Sequence, residues 1–301
     1  MKLDSRLAKC MDNGDFVVTA EYLPRASTGT SFEKTVVEAL TGRVQAVNVA
    51  DNPYGIVSSS LAGSVMLSRC GTEPIYQLVT RDRNRIALQS DLLGAACLGI
   101  KNVLCLSGYH QTLTGCPQSA NVYDMDSIQL VAAVTQMRDE GVLLDGTKIE
   151  GDFAMLVGAV ANPYLKPMEL NILRLAKKVE AGASFIQTQA VFDVHGFAEW
   201  LDAARAEGIT ENTAILAGVL PLGDATEAQK LRENHTDFQI PNEIIARIKA
   251  VGGPDAQRKE GLAIGAEIIR EVKKMGGVRG VHILSGGKET SVPELLAASG
   301  L

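Results

Sequence analysis

Eight stretches of strand length, each almost continuously apolar, recur along the chain. They are residues 16–23 (FVVTAEYL), 46–51 (AVNVAD), 74–82 (PIYQLVTRD), 102–108 (NVLCLSG), 153–162 (FAMLVGAVAN), 185–193 (FIQTQAVFD), 214–224 (AILAGVLPLGD) and 280–287 (GVHILSGG). Between them lie segments such as SFEKTVVEALTGR, NRIALQSDLLGAACLGI, MDSIQLVAAVTQMRDEG, PMELNILRLAKKVEAGA and HGFAEWLDAARAEG, whose apolar residues return at spacings of three and four. Several end in glycine, as a helix closed by a left-handed residue does. Strands separated by helices predict parallel pairing through right-handed crossovers. Eight such units predict an α/β protein of the (β/α)8 TIM-barrel class, with an open doubly wound sheet as the structural alternative. No composition shift or Pro/Gly/Ser-rich linker divides the chain, so residues 1–301 are expected to form a single barrel domain.

Composition narrows the function. The 301 residues are 46% hydrophobic and 21% charged, enough for a sizeable core, and the net charge of -6 argues against a broad nucleic-acid surface. The first 16 residues hold no apolar run of signal-peptide length, and no later segment approaches the roughly 20 apolar residues of a membrane span. The expectation is a soluble cytoplasmic protein without membrane or nucleic-acid partners. Five cysteines, none in a CxxC pair, indicate neither a disulfide framework nor a zinc ribbon. His110 and Cys116 share a loop but lack further ligands at metal spacing, so no metal is expected.

In such a barrel the chemistry sits at the C-terminal ends of the strands. Glu21 falls at the end of the first run, between Val18 and Leu23. A carboxylate in a partly apolar rim acquires a raised pKa and serves as a general acid near neutrality; the alternative is a structural pair with an arginine. The other strand ends are dense in amides and carboxylates: Asn48, Asp51 and Asn52; Gln77, Thr80 and Asp82; Ser107 to His110; Asn162; Gln187, Thr188, Gln189 and Asp193. One amide offers a donor and an acceptor together, which suits the edge of a bicyclic heterocycle such as a pterin or flavin. Gln187 and Gln189 alternate along one strand and so share a face. The RDRNR run (Arg81–Arg85) reads either as a phosphate clamp or as the capped start of a helix. No GxGxxG or GxxxxGK[ST] loop is present, and LSGGKE after the eighth run is a weak candidate phosphate site.

Seven phrases in register, FVVTAEYLP, VNVADNP, YQLVTRDRNR, GIKNVLCLSG, NVYDMDSIQLV, KKVEAGASFIQTQAVFD and GVLPL, resemble the methylenetetrahydrofolate reductases over roughly residues 12–290. The resemblance implies a flavin-binding (β/α)8 barrel that reduces 5,10-methylenetetrahydrofolate to 5-methyltetrahydrofolate. Glu21 matches the family's catalytic glutamate, the acid that protonates N10 of the folate. Gln189 matches the glutamine that hydrogen-bonds the pterin, and Gln77, Gly108, Ala159 and Lys178 fall at or near flavin-contacting positions. With these, Gln187, Tyr109 and Asn162 are assigned to the folate, and Asp51 and Ser107 to the cofactor, FAD or FMN. One position departs: the family reads Gly-Asp after the fourth strand, and here Gly108 precedes Tyr109. The aromatic residues that follow the family's strand-six glutamine are thinned to Ala190 and Val191 before Phe192, and Gly223 to Ala225 bring none after VLPL.

The leading expectation is therefore a reductase whose electrons come from a nicotinamide or from an electron-donor partner protein. Tyr109 motivates the alternative of a flavin-free methyltransferase that moves the N5 methyl group between tetrahydrofolate and a corrinoid protein. A non-catalytic folate-binding subunit is the third reading. The sequence leaves monomer and homo-oligomer open.

Overall fold

The computed structural model describes residues 3–29, 31–234 and 238–301. Eight parallel strands close into a barrel in sequential order: β1 Val17–Tyr22, β2 Ala46–Val49, β3 Pro74–Val79, β4 Asn102–Leu106, β5 Leu156–Ala161, β6 Phe185–Ala190, β7 Ala214–Val219 and β8 Val278–Ile283. The ring closes where β8 pairs with β1, with Val17 opposite Gly280 and Ala20 opposite Ile283. The open-sheet alternative is thereby excluded. Each strand is shorter than the run that predicts it, and β8 begins two residues ahead of its run. Past β7 and β8, Leu220 and Leu284 line the cavity at the C-terminal mouth of the barrel, while Leu222 packs in the outer core.

The runs are continuous because parallel strands in a barrel are buried on both faces. Val18, Ala20 and Tyr22 on β1, like Val157, Ala159 and Ala161 on β5, pack outward against the helices. Val17, Ala46, Ile75, Leu104, Leu156 and Phe185 fill the lumen, and Leu7 and Ala8 of helix Arg6–Asp12 join this inner cluster. Large and small residues alternate across the lumen to fill it. A Cβ on Gly158 would lie 2.2 Å from the Phe185 ring, so glycine there makes room for the phenylalanine.

The helices begin where the sequence supplies caps. Asn84 accepts from the backbone N–H groups of Ile86 and Ala87 at the start of Arg85–Cys97. Asp126 and Gln129 form a reciprocal capping box on Ser127–Asp139, and Asp193 caps Val194–Ala206. Met168–Glu180 carries an apolar stripe inward and leaves Arg174 and Lys178 beside the C-terminal mouth. Among the described residues no helix is long and apolar enough to cross a membrane.

Candidate active site

The apolar lumen ends upward in a polar layer. Asn48 and Gln187 exchange amide hydrogen bonds, Nδ2 to Oε1 at 2.7 Å and Nε2 to Oδ1 at 3.0 Å. Gln187 also donates to Thr19 Oγ1 at 3.0 Å, and that hydroxyl lies 3.0 Å from His282 Nδ1. All four side chains are buried. Burial pushes the His282 pKa down to about 3, so the imidazole is neutral at physiological pH. This closed network forms the floor of a cavity of about 580 Å³ at the C-terminal end of the strands. Ligand pockets are commonly about 300–1,000 Å³ in volume.

Glu21 is the next inward-facing residue above Thr19 on β1 and stands in the cavity wall. Burial, reinforced by the neighbouring Glu289 carboxylate, raises its pKa from 4.5 to about 7, although the backbone N–H groups of Ser285 and Gly286 oppose the rise. No arginine pairs with it in any ion pair among the described residues. A carboxyl group that holds its proton to neutrality beside a ligand-sized cavity has the properties of a general acid.

The remaining predicted residues separate by where their polar atoms are spent. Gln189, Tyr109, Asn162, Gln77, Ser107, Gly108 and Lys178 all line the cavity. Gln187 also reaches it, but its amide is committed to Asn48 and Thr19, so it supports the floor. Asp51 also lines the cavity but is 2% exposed, and it accepts from Val79 N–H at 3.0 Å and from Arg83 at 2.7 Å, so its oxygens are already engaged by the protein. Ala159 faces the helix layer and does not line the cavity, because its lumen-side neighbour on β5 is Val160.

The RDRNR run is a structural stitch. Arg81 holds the carboxylate of Asp82 and the carbonyls of Asn52 and Tyr109; Arg83 bridges Asp51 and Asp91; Arg85 pairs with Asp124. The cations that remain at the cavity are Lys178 and Arg174. Lys178 Nζ donates to the Val160 carbonyl at 2.5 Å, and burial together with Arg174 lowers its pKa to about 8. Neither belongs to an ion pair between described residues. The His110 ring lies 2.7 Å from Asn121 Nδ2, so it braces its own loop.

Sequence reasoning missed several groups. Glu289 is 1% exposed, and its carboxylate acts on Glu21 to raise its pKa. Phe238 supplies the cavity with an aromatic ring from a segment well past VLPL, where none was expected. Tyr54 lies near-parallel to Tyr109, with ring centroids 6.3 Å apart and planes at 16°. His282 could have been found, since it alternates with Gly280 along the lumen side of β8.

A family model described as methylenetetrahydrofolate reductase matches residues 6–300. Among curated proteins, the chain is 22% identical over 250 residues to a probable methylenetetrahydrofolate reductase (NADPH) of Caenorhabditis elegans, covering 82% of this chain and 35% of that protein. It is 26% identical over 215 residues to the 5,10-methylenetetrahydrofolate reductase of Salmonella typhimurium, covering 71% of this chain and 64% of the relative. The matched stretch thus spans less than two thirds of these relatives' length. Among solved structures, a Clostridium thermocellum protein described as binding two copies of 5-methyl-5,6,7,8-tetrahydrofolic acid superposes with a TM-score of 0.68. That match is at 12% identity over 98% of this chain and 99% of the other, a likeness of fold. With nearly its whole length matched by one family model, the chain belongs to the methylenetetrahydrofolate reductase family.

Proposed function

We propose that the protein reduces 5,10-methylenetetrahydrofolate to 5-methyltetrahydrofolate, with Glu21 as the general acid. The observation that carries this reading is the Glu21 carboxyl in the wall of a ligand-sized cavity, in a chain of this family, where burial raises its pKa to about 7. The bacterial relatives named as 5,10-methylenetetrahydrofolate reductases support the substrate, and the methyltetrahydrofolate bound by the structural neighbour supports the folate class.

Glu21 gives its proton to N10, the bond between the bridging carbon and N10 breaks, and the carbon remains on N5 as an iminium. A hydride added to that carbon completes the N5 methyl group. The neutral imidazole of His282 and the amide pair beneath offer no competing acid, so the proton comes from the cavity wall. Gln189 presents its amide to the pterin, and the apolar side chains of Leu220, Leu231 and Phe238 exclude water from the ring.

The donor set also fits a flavin. Lys178 and Arg174 form a cationic pair without a carboxylate in ion-pair contact among the described residues, which suits a phosphate, while Gln77 offers an amide to a ring edge and Ser107 and Gly108 line the wall between. A bound reduced flavin supplies the hydride in this family. Tyr109 places a phenol where relatives carry a carboxylate, and this favours, as second reading, methyl transfer from methyltetrahydrofolate to a corrinoid protein.

The test is the purified protein's visible spectrum followed by half-reactions of Glu21→Gln. Reduction of bound flavin at the wild-type rate with loss of folate reduction is the expected result. Equal loss of both half-reactions removes Glu21 as the folate acid. A colourless protein that cannot be reconstituted with FAD or FMN, yet forms methylcobalamin from cob(I)alamin and methyltetrahydrofolate, establishes the second reading.

A further inference from the structure

We propose that Glu289 is a positioning residue for the Glu21 acid: its carboxylate fastens the loop after β8 to the end of β1, and its negative charge stays beside Glu21. The proposal rests on Glu21 acting as the general acid.

The loop runs from Leu284 through two glycines at positive φ, Gly286 (+57°) and Gly287 (+80°), into the short turn Glu289–Ser291. It coils on itself, with Gly287 N–H donating to Ser285 Oγ at 3.1 Å and Lys288 N–H to the Ser285 carbonyl at 3.0 Å. It is pinned from both flanks. Glu289 Oε1 accepts from the backbone N–H of Leu23 at 2.9 Å, two residues beyond Glu21. On the other side Lys288 Nζ holds both oxygens of Glu227 at 2.6 Å, and Glu227 accepts the Gly223 N–H at 2.8 Å in the loop after β7. The two N–H groups this loop turns toward Glu21, from Ser285 and Gly286, are therefore held by contacts that Glu289 and Lys288 make.

A structural tie at this place needs only an acceptor. A carboxylate supplies a charge as well, at a site 1% exposed, where an isolated charge is costly. Glu289 collects three donors, the Leu23 N–H, its own N–H and the Ser285 hydroxyl, whereas Glu21 meets two. Burial raises the Glu289 pKa as well, and the three donors together with Arg25 oppose that rise, so the charge of the pair is assigned to Glu289 and the proton to Glu21, an arrangement in which two neighbouring acids divide the roles. Arg25, in the loop after β1, acts on Glu289 and offsets part of that charge. The Tyr22 hydroxyl, on which Glu289 also acts, donates to Glu33; Lys288 is held by Glu227, Asp51 by Arg83, and His282 is neutral.

Glutamine separates the two roles, because its Oε1 accepts from Leu23 and Ser285 as the carboxylate does. Glu289→Gln is expected to fold with unchanged thermal stability or better, and to move the alkaline limb of the folate half-reaction's pH–rate profile down by about half a unit or more. Glu289→Ala, which also cuts the tie, is expected to lower kcat about tenfold further with little change in KM, as a loss of geometry does. An unchanged alkaline limb in folded Glu289→Gln overturns the proposal, whatever the alanine variant does. Full folate reduction by Glu21→Gln instead removes the acid assignment itself, so the two failures are told apart.

Discussion

Replacing Glu21 with glutamine should make the protein more stable at alkaline pH and leave it nearly unchanged at acid pH. Glu21 titrates at about 7 in the folded protein against 4.5 as its ordinary value. Below pH 4.5 the carboxyl is protonated in both states and adds no pH-dependent cost. Between pH 4.5 and 7 the unfolded chain releases this proton first, the native state binds more protons, and stability falls as pH rises. Above pH 7 the penalty is complete. At about 1.36 kcal/mol for each pH unit the rise amounts to about 3 kcal/mol, and Glu21 is open enough to the cavity for water to reduce this to about 2–3 kcal/mol. Glutamine does not titrate and still offers an oxygen to the Ser285 and Gly286 N–H groups, so its advantage should grow across that window. Urea unfolding of both proteins at pH 4.5 and pH 8.5 measures it, since the other carboxylates are common to both. A difference between variant and wild type that is the same at both pH values, within about 0.5 kcal/mol, refutes the assignment of a raised pKa to Glu21.

Three further outcomes follow from the polar contacts. Gln187→Leu leaves the Asn48 amide and the Thr19 hydroxyl short of partners in a sealed lumen, and should cost about 2–4 kcal/mol in urea unfolding; a loss under about 1 kcal/mol would show that water enters the layer. Arg83→Met strips the buried Asp51 carboxylate of its ion pair and should destabilise by about 3–5 kcal/mol at pH 7. That loss should shrink in acid, because burial raises the Asp51 pKa despite the arginine and the group is neutralised early. The His282 ring should show no NMR titration between pH 5 and 8, given its displacement to about 3 by burial.

How much of this was legible in the sequence depended on whether one strand or several decided the matter. The barrel was legible because burial on both faces makes each strand an apolar run, and counting the runs needs no register. Glu21 and Gln189 were legible as polar residues at strand ends. That Ala159 faces the helix layer was not legible, because the inward parity of β5 is fixed by its neighbours, and only the paired register puts Val160 on the inside. Gln187 and Asp51 line the cavity, but their partners Asn48 and Arg83 come from other strands and loops, 139 and 32 residues away. Amide and carboxylate chemistry is the same whether it faces a ligand or a neighbour, so the sequence could not separate the two. Glu289 and Phe238 lie in loops without periodicity, where nothing local marks a side chain as inward.

The acidity of Glu21 is a consequence of closing the ring. On β1 alone the carboxylate would end a strand next to Tyr22 and Leu23 and would titrate as an ordinary acid. The pairing of Ala20 with Ile283 brings the end of β8 beside it, so that the next residues, Ser285 and Gly286, can direct their N–H groups to its carboxylate. The Leu23–Glu289 hydrogen bond spans 266 residues of sequence and then fixes that juxtaposition. In an open doubly wound sheet the first and last strands in sequence need not be neighbours, and the desolvating wall and the second carboxylate would both be absent. The same closure seals the Asn48–Gln187–Thr19–His282 layer beneath, which keeps the floor of the cavity polar and its imidazole neutral. One topological event thus sets both the proton that Glu21 carries and the lack of any rival acid below it, and any change that loosens the β1–β8 seam should lower the Glu21 pKa before it unfolds the barrel.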